Sequence, residues 1–115
     1  MDLPDVIAHC LAKPASGQST PFGPDVLVFK VAGKIFALCN PSDFPARVNL
    51  KCNPERALTL RGQHDAVIPG YHMNKKHWNT VILDGSLPAD LVRELIDHSY
   101  ELVVSSLPKS KRPAP

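Results

Sequence analysis

The 115-residue chain has little with which to staple itself together: its three cysteines, Cys10, Cys39 and Cys52, are odd in number and none lies in a C-x-x-C pair. That spacing argues against a disulfide framework and against a zinc knuckle, and leaves buried free thiols. No apolar segment approaches the ~20 residues that span a bilayer. Met1-Asp2-Leu3-Pro4-Asp5 has neither the basic nor the apolar region of a secretory signal. A cytoplasmic protein with no membrane partner is therefore expected. Aromatic residues make up only 6% of the chain, and a net charge of +2 is small beside that of a strongly basic nucleic-acid binder. There is no G-x-S-x-G, no glycine-rich phosphate loop and no recognisable Cys–His or carboxylate pair, so neither enzymatic activity nor a cofactor is expected.

What the chain does have is an ordinary globular balance, 43% hydrophobic and 21% charged, at a length that suits one domain over 1–115. It also has 12 prolines, mostly outside the apolar runs, where they stiffen loops and stop helices. Many short elements joined by rigid loops follow.

Asp2 can cap a first helix that tolerates Pro4 in its opening turn, with Leu3, Ile7, Cys10 and Leu11 on one face, ending at Lys13-Pro14. The Ser/Thr/Gly/Pro-rich stretch that follows, through Gly23-Pro24, reads as an ordered loop anchored in the core by Phe22. Asp25–Ala32 and Ile35–Cys39 are nearly continuous apolar runs around Gly33-Lys34, a spacing that predicts an antiparallel hairpin with a type II′ turn. Arg47–Cys52 alternates polar with apolar, the pattern of a strand with Arg47, Asn49 and Lys51 on its wet face. Asn53-Pro54-Glu55 opens a short helix to Arg61, with Gly62 helping to stop it. Val67–Tyr71 reads as a fourth strand that Pro69 and Gly70 restrict to an edge or an irregular crossing, and Trp78–Leu83 as a fifth strand. Asp84-Gly85-Ser86 then turns into the longest helix, whose stripe runs Leu91, Val92, Leu95, Ile96, Ser99, Leu102, Val103. Residues 109–115 read as a flexible basic, proline-rich tail.

The densest polar-aromatic stretch is Gly70–Thr80, with two lysines, two histidines, two asparagines, Tyr71 and the single Trp78. It offers cations for an anion and flat rings for stacking, and it holds no nucleophile with a placed base. Lys75 and Lys76 are candidate phosphate contacts, with Tyr71, His77 or Trp78 stacking or packing nearby. The bland alternatives are a solvated turn for the lysines and core packing for Trp78. His72 and His77 are five apart, a spacing that suits neither helix nor strand ligation, so no metal site is expected.

Phe22-Gly23-Pro24, Val28-Phe29-Lys30-Val31, Gly33-Lys34, Phe36-Ala37-Leu38, Tyr71–Val81, Leu83-Asp84-Gly85 and Ser99-Tyr100 together resemble the MmcQ/YjbR family over nearly the whole chain. The resemblance implies an α+β, two-layer α/β sandwich of order α-β-β-β-α-β-β-α with an antiparallel five-stranded sheet, similar to secretion chaperones and CyaY-like proteins. The element order read from patterning agrees with it. The family is described as DNA-binding, by analogy with a double-wing arrangement. A contact surface of Arg47, Lys51, Tyr71, Lys75, Lys76, His77 and Trp78 would serve that role. An iron site of the CyaY kind is disfavoured, since the first helix offers only Asp2 and Asp5 as acidic residues. The alternative is a protein-interaction or chaperone-like module using the sheet face with no nucleic-acid role. In either case a monomer or weak homodimer is expected. A continuous patch of Arg47, Lys51, Lys75, Lys76 and the tail would favour DNA, and an exposed apolar sheet face or groove a protein partner.

Overall fold

Asp2 does start the first helix: in the computed structural model, which describes residues 1–114, its carboxylate accepts the Asp5 backbone N–H at 2.9 Å while Asp5 accepts the Asp2 N–H at 3.2 Å. This reciprocal box satisfies two otherwise orphaned donors and fixes the start of α1, Leu3–Leu11. The inward side of α1 is centred on Val6 and Cys10, both fully buried, while Leu11 is exposed. The helix is therefore rotated from the face expected for it.

Four strands follow: β1 (Ser16–Ser19), β2 (Leu27–Val31), β3 (Lys34–Cys39) and β4 (Arg47–Lys51). After α2 (Pro54–Gln63) come β5 (Val67–Pro69), β6 (Trp78–Ile82) and α3 (Ala89–Ser105), with a 3₁₀ turn at Lys109–Lys111. The strands form one six-stranded sheet in the order β1-β2-β3-β4-β6-β5, antiparallel throughout. The architecture is the expected α+β two-layer sandwich with one strand more. The additional strand is Ser-Gly-Gln-Ser, an exposed edge with no apolar alternation to announce it; only its pairing with β2 makes it a strand.

The β2–β3 turn also differs from expectation. Ala32 and Gly33 are its central residues, with φ of +48° and +79°, and Val31 pairs with Lys34. Positive φ at both positions makes this a type I′ turn, not II′, and Gly33 takes the second left-handed site at no steric cost. Gly62 lies inside α2, which runs one turn-fraction past Arg61 to Gln63.

All three helices lie on one side of the sheet, because Val48, Leu50 and Val81 point to the same core as Val6, Leu60, Leu95 and Ile96. On β4 the alternation is clean: Val48 and Leu50 are buried, while Arg47, Asn49 and Lys51 face the other, open side. The expected tail is partly tied down. Arg112 donates to the carbonyls of Ser105 and Leu107, both at 3.0 Å, closing the end of α3. Pro115 lies outside the described residues. Among the described residues no helix is long and apolar enough to cross a membrane.

Candidate nucleic-acid interface and the open sheet face

The run between β5 and β6 is shaped by its own short-range hydrogen bonds. Asn74 caps it: the carbonyl accepts the N–H groups of His77 at 3.2 Å and Trp78 at 2.9 Å, and Oδ1 accepts the Lys76 N–H at 2.9 Å. The Lys75 ammonium reaches back to donate to the Gly70 carbonyl at 3.0 Å. Gly70 is needed there, since a Cβ would fall 2.8 Å from Trp78 Cβ and 2.9 Å from the Trp78 carbonyl oxygen. Arg61 holds the loop from the helix side, donating from Nε to Asn79 Oδ1 at 2.7 Å and from its guanidinium to the Lys75 carbonyl. Reading the sequence missed Arg61 as a bracing residue. A cation at the end of a helix is usually solvated, and only the fold brings it to β6.

The expected contact residues fall into two places. Lys51 pairs with Trp78 across β4 and β6, and the Cys52 N–H donates to the His77 carbonyl at 2.8 Å, so Lys51, Lys75, Lys76, His77 and Trp78 share one end of the sheet. The β2–β3 turn with Lys34 lies at that same end, since Ala37 pairs with Leu50 just before Lys51. Lys34 also approaches Ser106 Oγ at 3.5 Å, which puts the basic segment after α3 close by. Among the described residues, Lys34, Lys51, Lys75 and Lys76 make no ion pair with a carboxylate. Trp78 is half-buried, with part of its ring packed and part left open. Arg47 is not at this end; it lies four residues back along β4, about 13 Å away at the usual strand rise, though on the same face as Lys51.

Tyr71 belongs to a second feature, a groove of about 440 Å³ on the open face of the sheet. Its floor carries Ile35, Leu38 and Asn49, and its sides carry Phe22, Val26, Asn40, Asp43, Tyr71, His72 and Met73. Phe22 was expected in the core and is 68% exposed. The Thr20–Gly23 turn, closed by the Gly23 N–H to the Thr20 carbonyl at 3.2 Å, turns it over the open face instead. Tyr71 is 62% exposed, with the His72 ring against it at 4.0 Å between centroids. Beneath them the Tyr71 N–H donates to Thr80 Oγ at 3.0 Å, and the Thr80 hydroxyl donates to Asn49 Oδ1.

The three thiols do not take part. Burial pushes Cys10 up to about 12 and Cys39 up to about 11, and also raises Cys52, so all three stay protonated and unreactive at neutral pH. Among the described residues no three of His, Cys, Asp and Glu converge on a point where a metal ion could be held.

Known proteins are similar to this chain in fold and sequence. The YjbR family model matches residues 11–102. The uncharacterised Escherichia coli K12 protein YjbR is 40% identical over 112 residues, covering 97% of this chain and 95% of that one. The uncharacterised protein YbdF of Escherichia coli O157:H7 is 43% identical over 89 residues, 77% of this chain and 73% of its own. A crystal structure of a Deinococcus radiodurans protein with a DUF419 domain superposes with a TM-score of 0.91 at 40% identity, covering 96% of this chain and 84% of that one. A Pseudomonas syringae crystal structure gives 0.77 at 31% identity, over 89% and 98%.

Proposed function

The chain belongs to the YjbR family, and from that premise we propose that it is a non-enzymatic, cytoplasmic DNA-binding protein whose lysines at one end of the sheet contact phosphates. Its relatives lend a fold and a family but no activity, so support comes from this chain's own surface. One observation carries it: Lys34, Lys51, Lys75 and Lys76 are gathered at one end of the sheet, without carboxylate partners among the described residues. Cations without carboxylate partners release counterions when they meet a phosphate backbone, and they carry no information about base sequence. Three buried, unpaired thiols suit a reducing compartment. The open sheet face keeps a second reading alive, a protein partner seated on its apolar residues, motivated by the exposure of Phe22 and Tyr71.

The test is binding of random-sequence oligonucleotides, single-stranded and duplex, across a salt series. The informative variant is Lys51→Gln with Lys76→Gln. Lys75 is left intact because its ammonium also braces the Gly70 carbonyl. Affinity should fall to a similar extent for unrelated sequences. The slope of log affinity against log salt should lose about 1–2 in magnitude for duplex DNA. A parent protein that binds neither form at low salt would end the DNA reading and leave the protein-partner one.

A further inference from the structure

We propose that the groove on the open face of the sheet receives unstacked nucleobases, so that the protein prefers single-stranded nucleic acid; this rests on the DNA-binding reading and deepens it. The groove's volume of about 440 Å³ lies within the range of small-molecule sites, roughly 300–1,000 Å³. Its chemistry suits a flat heteroaromatic ring. Phe22 and Tyr71 leave 68% and 62% of their surface open on its sides, and Ile35 and Leu38 form an apolar floor. Aromatic faces of this kind stack bases without regard to sequence, because every base has a π-face.

Polar groups meet the edge of such a ring. The Thr80 hydroxyl accepts from the Tyr71 N–H and donates to Asn49 Oδ1, which leaves the Asn49 amide N–H₂ to donate into the groove. Asn40 Oδ1 accepts the Ser42 N–H at 2.9 Å, which frees its N–H₂ in the same way. The Asp43 carboxylate supplies an acceptor. Donors and an acceptor around an apolar slot match a base, which presents both kinds of group on one edge. His72 adds a sign of built geometry: it is a non-glycine residue at φ +57°, and this left-handed backbone holds its ring against Tyr71 at the rim.

Charge beside the groove favours a nucleic-acid strand over a protein segment as occupant, although Asp43 puts one carboxylate in its lining. On β4, Arg47 and Lys51 lie two residues to either side of Asn49 on the same face, about 7 Å away in each direction. A base over Asn49 would therefore have a cation on each side for its phosphates. The loop that lines the groove with Tyr71 and His72 continues into Lys75 and Lys76, which turn towards α2 in a hollow with Glu55 and Arg61, so the cations on the groove's own face are Arg47 and Lys51. In a duplex the bases are paired and stacked and cannot enter; in a single strand they can.

The experiment compares the parent with Phe22→Ala/Tyr71→Ala and with Phe22→Leu/Tyr71→Leu, which keeps apolar bulk while removing the π-faces. Both side chains are largely exposed, and the urea midpoint of each variant confirms folding. Affinity for a random-sequence single-stranded oligonucleotide should fall about 5- to 100-fold in both variants, with the salt slope unchanged. Duplex affinity should stay within about 2-fold. Single-strand affinity that stays at the parent's level while the Lys51→Gln/Lys76→Gln variant loses salt slope would remove the groove as a base site and leave the phosphate contacts standing. An equal fall for duplex and single strand would also overturn it. A parent that binds no nucleic acid removes both, and gives the groove to a protein segment.

Discussion

At the scale of single residues, Ser99 shows how much one polar atom can decide. It is fully buried in a stripe otherwise apolar, accepting the Lys51 N–H at 2.8 Å and donating to the Phe36 carbonyl at 2.6 Å. The register Ala37–Leu50 would set Phe36 opposite Lys51, so the hydroxyl bridges β3 and β4 at the place where a direct ladder bond would run. Its neighbour Tyr100 packs edge-on to Phe36 at 5.2 Å and donates to the Pro14 carbonyl at 2.5 Å, tying the α1–β1 loop to α3. Removing a hydroxyl that serves two buried backbone groups leaves both unpaired, at about 1–3 kcal/mol each. Ser99→Ala should lower the urea midpoint accordingly, with the denaturant slope unchanged. A midpoint equal to the parent's would mean that β3 and β4 close the gap themselves. From the sequence Ser99 could be placed on the buried stripe, but a hydroxyl between two strands far apart in the chain has no local signature.

Among the elements, legibility followed periodicity. The long helix, the alternation Arg47–Lys51 and the Asp2 and Asn53 caps were readable, because each is written within a few neighbouring residues. β1 was not, because an edge strand of Ser, Gly and Gln acquires its identity from its partner. α1 was placed but rotated, for a further reason: its docking depends on α3. Asp97 of α3 takes the His9 ring nitrogen and the Lys13 ammonium, both at 2.8 Å. Burial alone would push the Asp97 carboxyl up, but hydrogen bonds from Lys13 and His9, with the charge of Lys13 behind them, outweigh it and hold it below 3.8. The folded-state value is thus lower than the unfolded one. The stabilisation it brings is complete above about pH 4 and is lost as the pH falls through the folded value. Asp97→Asn should therefore be less stable than the parent at neutral pH, and the gap should narrow on acidification to about pH 3. Urea midpoints that differ by a constant amount over that whole range would show that the carboxylate charge is not what joins α1 to α3.

On the scale of the whole molecule, the candidate site was half legible. The stretch Gly70–Thr80 named the basic end, because its cations are contiguous in sequence. The groove could not be named, since its lining comes from five separated segments between Phe22 and Met73 and from a sheet face that exists only once β3, β4 and β6 are side by side. The same assembly separates charge. The lysines gather where β4 ends and β6 begins, while Asp65, two residues before β5, lies towards the opposite end of the sheet, since Val67 pairs with Val81. From Trp78 to Val81 β6 runs about 10 Å at the usual strand rise, and the Debye length at physiological salt is about 8 Å. A modest net charge of +2 therefore matters less than where the charges sit. This gives a control that total charge alone would fail. Asp65 is exposed and makes no ion pair among the described residues. Asp65→Asn raises the net charge by one at the opposite end of the sheet, and affinity for DNA at physiological salt should stay within about 2-fold of the parent. Lys76→Gln changes the charge by the same amount at the sheet end and should reduce both affinity and salt slope, the latter by about 0.9 for duplex DNA. Equal and opposite effects of the two substitutions would mean that binding follows overall charge and that the sheet end is not a contact surface.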